Sequence, residues 1–405
     1  MINIAVAQSG GPTCAINASL AGVFLEALES RAIYKIFGAR NGIQGILSEN
    51  IIELNEKFST DEDIRLLIQT PSTALGSCRI KLPDPDLDSE PYEKILKVFE
   101  EYNIGAFFYI GGNDSMDTVA KLSRYVALKG KNIKVMGVPK TIDNDVRATD
   151  HTPGFGSAAK YIATSVQEII RDSSVYHLDS VTIIEIMGRD AGWLTASSGV
   201  LKAVGEEAPH LIYLPEVPFS MEKFLTDIKT AHQMHKSVVC AVSEGLKLEN
   251  GEYVANSSLS NEVDAFGHKY LAGLGHYLEG IVKRELGCKV RSIELNVLQR
   301  CASHLASKTD LDEAEMIGRA AVKAAVEGHT GEMMIFERVS NSPYQVEIRT
   351  APINDIANNE KAFPLEWINQ SQNGITQEAI DYVLPLIQGE PVLIFENGLP
   401  LHIRI

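Results

Sequence analysis

Cysteine is scarce and unpatterned: Cys14, Cys78, Cys240, Cys288 and Cys301 are odd in number, widely scattered and without a CxxC pair. That spacing excludes a disulfide framework and a thiolate zinc site, and it suits reduced thiols in a cytoplasmic protein. No apolar run approaches the roughly 18 residues of a spanning helix. The start, Met1-Ile-Asn-Ile-Ala-Val-Ala, has neither a basic segment nor a small-residue cleavage site, so no signal peptide is expected. Positive charge is also in deficit. Against 53 Asp+Glu stand 37 Lys+Arg, giving −16 at pH 7. Such a chain has no general electrostatic reason to seek nucleic acid or an anionic membrane. A GxxxxGK[ST] sequence and a strand-to-helix GxGxxG are both missing, which excludes a P-loop NTPase and removes support for a dinucleotide site. Histidine offers no metal cluster: His232 and His235 stand three apart on an expected surface helix, His268 and His276 flank a Gly-rich segment, and neither pair has a third partner.

What remains is an ordinary globular composition, 45% hydrophobic and 22% charged. Short β-rich runs alternate with helical patterns. The strand-like runs are Asn3–Gln8, Ile33–Phe37, Ala106–Ile110, Ile133–Val138, Ser180–Ile186, Leu211–Leu214 and Ser237–Val242. Between them lie the helix-like stretches Ile16–Glu29, Tyr92–Tyr102, Ser115–Leu128, Ser157–Arg171 and Met221–His235. This rhythm predicts an α/β chain with mostly parallel sheets covered by helices on both faces. Ligands in such sheets bind at the carboxyl ends of the strands. The pattern changes near residue 311. A helix over Asp312–Glu327 leads to strands at Met333–Arg338 and Gln345–Thr350, an irregular polar stretch over Ala351–Asn373, and a terminal hairpin around Asn397-Gly398.

Three strand-to-loop junctions carry chemistry-bearing residues. The first, Gln8-Ser-Gly-Gly-Pro12, precedes a helix, and Gly10 and Gly11 permit the close backbone approach of a phosphate cradle. A lone Gly-Gly is better explained by a merely tight strand-to-helix turn. The second, Gly111-Gly-Asn-Asp-Ser115, adds Asn113 and Asp114, which suit either a helix cap or oxygen ligation of Mg²⁺. The third, Pro139-Lys-Thr-Ile-Asp-Asn-Asp145, sets Asp143 and Asp145 at i and i+2, where an extended loop projects both to one side. Any one of these could be a solvated loop; three in one α/β chain argue against coincidence.

With Gly76-Ser-Cys-Arg79, Met187-Gly-Arg-Asp-Ala-Gly-Trp193, Ser243-Glu-Gly245, Arg291 and Leu298-Gln-Arg300, these junctions give the chain a near full-length resemblance to the phosphofructokinase superfamily, and within it to the pyrophosphate-dependent 6-phosphofructokinases. The resemblance implies two Rossmann-like three-layer lobes in the phosphofructokinase fold. It implies reversible phosphoryl transfer from pyrophosphate to the C1 hydroxyl of fructose 6-phosphate, a glycolytic step, with Mg²⁺ as cofactor. In the matching positions Asp143 is the general base, Asp145 assists it, and Thr141 contacts the transferring phosphoryl. Gly11, Arg79 and Ile142 match further substrate-binding positions. Met187, Gly188, Arg189 and Glu244 match the sugar site, Arg291 and Arg300 the arginines that grip the 6-phosphate, and Asn113 and Asp114 the metal site.

The same resemblance speaks to the donor. ATP-using relatives have glycine where Asp114 and Lys140 stand. Asp114 would repel an α-phosphate, and Lys140 would place an ammonium near pyrophosphate. Departures are local. Asn113 stands where many relatives have Asp, Thr13-Cys14-Ala15 where many have Ala-Pro-Gly, Val297 where relatives carry His or Tyr, and Ser180 where bacterial ATP enzymes have Arg. An ATP-dependent phosphofructokinase and a catalytically silent subunit of the same fold are the alternatives. The expected organisation is a donor lobe over 1–150 plus about 301–330, and a sugar lobe over 151–300 with an insertion at about 246–289. A C-terminal extension over 331–405 packs on both. Gly267-His-Lys-Tyr270, in the insertion, is a candidate sugar contact through Lys269 or Tyr270. The resemblance implies a homodimer or homotetramer, with sugar-phosphate arginines shared between subunits.

Overall fold

The computed structural model describes residues 1–254 and 273–405. Its strands are β1 (Ile2–Gln8), β2 (Ile33–Ala39), β3 (Ile51–Glu53), β4 (Ile104–Gly111) and β5 (Lys134–Pro139), then β6 (Ser180–Ile186), β7 (Leu211–Tyr213), β8 (Ser237–Ser243) and β9 (Lys289–Glu294). They are followed by β10 (Glu332–Asn341), β11 (Tyr344–Pro352), β12 (Phe395–Glu396) and β13 (Leu399–Pro400). The chain divides into two compact units. The first comprises Met1–Ser157, Arg300–Glu360 and Gln388–Ile405, and the second Ala158–Gln299 and Lys361–Ile387. Residues of the C-terminal stretch fall in both units.

In the first unit seven strands run in the order β11-β10-β5-β4-β1-β2-β3. The inner strands pair parallel, while β3 and β11 are antiparallel edges. Alternation along β1 shows why helices cover both faces. Ile4 and Val6 pack with Leu20 and Phe24 of the helix Ile16–Glu29, whereas Ala5 and Ala7 face the cluster holding Ile95 and Val119 of the helices Glu90–Glu101 and Asn113–Leu128. The central strands β5, β4 and β1 are neighbours, with Gln8 paired to Ile110 and Gly111 paired to Pro139. Their carboxyl ends therefore lie side by side, and the three loops of interest leave from one edge.

The second unit holds the four-stranded sheet β7-β8-β6-β9, parallel throughout. Its core packs the helices Met221–Ala231 and Leu274–Leu286 against β6 and β8 through Phe224, Ile228, Leu274 and Leu278. Lys361–Ile387 closes around Trp193, whose ring lies 5.0 Å from Phe363 and 5.1 Å from Tyr382. Several elements differ from the sequence reading. The helix Leu274–Leu286 occupies part of the stretch expected as an insertion, and the polar, half-exposed strand β9 follows it, absent from the expected strands. The helix expected to reach His235 stops at Ala231, so His232 and His235 follow it. The terminal hairpin shrinks to a two-residue ladder. Among the described residues no helix is long and apolar enough to cross a membrane.

Candidate active site

In the first unit the loop after β1 is braced from below. Buried Gln8 donates to Asn17 Oδ1 at 2.8 Å and accepts from Leu75 N at 2.9 Å, and Ser77 Oγ donates to Gly10 O at 2.7 Å. Gly10 has φ +76°, a conformation that disfavours any side chain. Lys140, at the end of β5, turns its ammonium into this loop and donates to Gly11 O at 2.6 Å. It is only 2% exposed. Burial is the main cause of its depressed pKa. Asp143 and Asp145 pull upward, Arg300 and Arg79 press downward, and the net brings the lysine to about 8. Arg300 lies close by, since a Cβ built on Gly11 would stand 3.5 Å from its Nη1. The structure thus gathers Gly11, Lys140, Arg79 and Arg300 into one cationic group. For Arg300 this neighbourhood is the loop after β1, a setting the sugar-phosphate expectation did not include.

The Thr141–Asp145 segment is a tight turn rather than the extended loop expected from the sequence. Asn144 sits at φ +54°, which breaks the extended backbone between Asp143 and Asp145. Instead, Thr141 Oγ1 accepts from Asp143 N at 3.2 Å and faces Asp143 Oδ2 at 3.4 Å. Asp145 Oδ2 accepts from Asn113 Nδ2 at 3.3 Å. Ile142 fills the buried side of the turn, 7% exposed. Asn113 and Asp114 open the helix Asn113–Leu128, whose positive N-terminal end follows β4 and so lies at the same strand ends.

The second unit presents a separate polar cluster at the ends of β6 and β8. Gly188 N donates to Glu244 Oε1 at 3.3 Å, Met187 N donates to Gln299 Oε1 at 3.3 Å, and Ser243 Oγ donates to Gly188 O at 2.5 Å. Gly245 permits the close approach, because a Cβ there would come within 1.8 Å of Arg189 O. Arg189 Nε is buried without a hydrogen-bond partner. Met187, Gly188, Arg189 and Glu244 are therefore brought together. Arg291 is not with them. It lies opposite Thr182 in mid-strand on the sheet edge, exposed and paired to Asp172 at 2.8 Å. Val297 is 46% exposed. Lys269 and Tyr270 lie outside the described residues.

The phosphofructokinase family profile matches residues 3–325. The chain belongs to the phosphofructokinase family. It is 42% identical over 403 residues to the pyrophosphate–fructose 6-phosphate 1-phosphotransferase of Halomonas elongata, covering 98% of this chain and 94% of that one. It superimposes on the crystal structure of the pyrophosphate-dependent phosphofructokinase of Marinobacter aquaeolei with a TM-score of 0.87 at 39% identity, covering 99% and 95% of the two chains. It is also 32% identical over 372 residues to the sulfofructose kinase of Alkalicoccus urumqiensis, covering 91% and 92%.

A phosphofructokinase needs hard oxygen donors if a cation is to accompany the phosphates, and this site has them. Asn113 Oδ1 is buried with no hydrogen-bond partner, beside the carboxylate of Asp145. Among the described residues no group of three or more His, Cys, Asp or Glu could hold a metal alone. The donor set therefore fits a cation that takes one or two carboxylates beside the Asn113 amide oxygen and shares substrate phosphates. Sequence reasoning passed over several supporting residues. Gln299 sits between two quoted motif residues without an assigned task. Glu216 accepts from Gly192 N at 2.7 Å and Phe363 N at 3.0 Å, and nothing in its local sequence signals that reach.

Proposed function

We propose that this phosphofructokinase transfers a phosphoryl group reversibly between pyrophosphate and the C1 hydroxyl of fructose 6-phosphate, giving fructose 1,6-bisphosphate and phosphate. The observation that carries the donor assignment is the Lys140 ammonium enclosed at Gly11, with Asp114 opening the neighbouring helix. A compact polyanionic donor suits a buried cation, while the Asp114 carboxylate repels the extra phosphate of a nucleotide.

In this reading the first unit is the donor half. Lys140, Arg79, Arg300 and the helix N-terminus at Asn113 hold the pyrophosphate and neutralise charge that develops on the transferring group. Thr141 hydrogen-bonds that group. Asp143 takes the C1 hydroxyl proton as the oxygen attacks, a task worth about 10²–10⁴ in rate. The second unit is the acceptor half, where Met187, Gly188, Arg189 and Glu244 hold the sugar. Arg189, with its unpaired buried Nε, has hydrogen-bonding capacity to give a ligand. Asn113, Asp114 and Asp145 would hold Mg²⁺, which when bound screens the charge of the pyrophosphate oxygens.

Arg291, exposed on an edge strand, suits a 6-phosphate bound by a second copy of the chain, as a two-fold homo-oligomer would require. The five widely scattered cysteines suit a reducing cytoplasm. The test is a matrix of donors (pyrophosphate, ATP) against acceptors (fructose 6-phosphate, sedoheptulose 7-phosphate, sulfofructose), each with and without Mg²⁺. Mg²⁺-dependent turnover of pyrophosphate with fructose 6-phosphate is expected to dominate. Dominant turnover in any other cell of the matrix, or none at all, overturns the reading.

A further inference from the structure

Behind the Thr141–Asp145 turn lies a second polar cluster, which neither the motifs nor the donor assignment touches. The strap Thr149–Gly154 runs beside the turn. Gly154 bridges to Thr141, and Thr152 Oγ1 donates to Thr141 O at 2.8 Å. The strap is tied to the helix Lys308–Glu327, where Asp310 accepts from Gly154 N at 2.9 Å and from Ser157 N at 2.9 Å. At its centre is His151, 1% exposed, with its ring stacked on Phe336 at 4.6 Å and 7°. Nδ1 lies 2.9 Å from Asp150 Oδ1, and Nε2 lies 2.7 Å from Glu313 Oε2.

The chemistry of that arrangement is restrictive. A neutral imidazole has one N–H, so one of its ring nitrogens would turn a lone pair toward a buried carboxylate. Two carboxylates at hydrogen-bonding distance match a ring that donates from both nitrogens. Every other group facing the ring agrees. Arg338 donates to Asp150 Oδ1 at 3.0 Å, and the Tyr344 hydroxyl donates to Glu313 Oε1 at 2.7 Å. Asp150 and Glu313 are balanced by Arg338 and a charged His151, while the buried Asp310, one turn before Glu313 on the same helix, has its pKa raised chiefly by burial.

We propose that His151 is a positioning residue, a buried imidazolium clamped between Asp150 and Glu313, whose charge fixes the strap and through it the placement of Thr141 and Asp143. The inference rests on the reading of that turn as the site of phosphoryl transfer. Burial by itself lowers the His151 pKa, but the charge of Glu313 and the hydrogen bonds with Asp150 and Glu313 outweigh it, and the net direction is upward. A histidine raised in the folded state contributes stability below its unfolded pKa and loses it as pH rises through the folded value. The clamp should therefore hold below the unfolded value and release as pH rises through the folded one.

The test uses the full chain with ¹⁵N-labelled histidine. The His151 signal is assigned as the one lost in His151→Gln or, should that variant not fold, as the one that shifts in Glu313→Gln. The expected result at pH 7.5 is a doubly protonated ring. Glu313→Gln should lower kcat about tenfold or more, leave both KM values within about twofold, and move the alkaline limb of kcat to lower pH. A neutral His151 at pH 7.5, or an unmoved kcat and pH profile in Glu313→Gln, overturns the inference alone. Full turnover in Asp143→Ala, measured in parallel, brings down the assignment of the turn and this inference with it.

Discussion

The ammonium of Lys140 donates to the carbonyl oxygen of Gly11 at 2.6 Å while almost wholly withdrawn from solvent. Desolvation holds its pKa down to about 8, so in the free protein near that pH a sizeable fraction is uncharged. A bound polyanion restores the charge. Calorimetry at pH 8.5 in two buffers of different ionisation enthalpy should detect net proton uptake when pyrophosphate binds. At pH 6.5 Lys140 should contribute almost none. Lys140→Met should abolish the uptake at pH 8.5; uptake that persists in that variant contradicts the assignment.

Asp143 faces Thr141 within the turn at the end of β5. Removal of the carboxylate in Asp143→Ala should lower kcat by about 10²–10⁴-fold while fructose 6-phosphate still binds within a few fold of the unaltered protein. Stopped-assay kinetics together with equilibrium sugar binding separate the two effects. Equal losses in both would make Asp143 a binding residue.

Much of this was legible in advance, for a physical reason. Strands β1, β4 and β5 are buried on both faces, so their apolar runs stand out, and each ends in a Gly pair or a Pro-Lys step that cannot continue a strand. The edge strand β9 was not legible, because Lys289, Arg291 and Glu294 are exposed and the run reads as polar. The shape of the turn was also hidden. Asp143 and Asp145 at i and i+2 suggest an extended loop until the positive φ of Asn144 redirects the chain. Residues acting over long separations left no signal at all. His151 meets Glu313 and Glu216 meets Phe363 only after folding.

Glu216 offers a stability test of one such contact. Its Oε1 receives the N–H groups of Gly192 and Phe363, joining the loop after Arg189 to the Lys361–Ile387 segment. Glu216→Ala leaves two N–H groups without a protein partner, which should cost on the order of 2–4 kcal/mol. Denaturant unfolding measures it, and a change below about 0.5 kcal/mol, the range of an ordinary surface substitution, would contradict the contact's importance.

His210 predicts an acid limit. Its Nδ1 accepts from Val239 N at 3.0 Å, and its ring lies 4.1 Å from that of His235. Burial chiefly, then the neighbouring His235 and His232, hold its pKa down to about 4. A histidine depressed in the folded state contributes stability above its unfolded pKa near 6.5 and loses it as pH falls toward 4. The loss should be on the order of 1–2 kcal/mol for a half-buried ring. Unfolding at pH 7 and pH 4.5 should show a smaller difference for His210→Gln than for the unaltered chain. An identical difference would contradict it.

The donor is the centre of the account, and steady-state kinetics with each donor test it most directly. With fructose 6-phosphate saturating and Mg²⁺ present, kcat/KM for pyrophosphate should exceed that for ATP by about 100-fold or more, because Asp114 and Lys140 act on the donor in opposite senses. Equal or greater kcat/KM with ATP would contradict it.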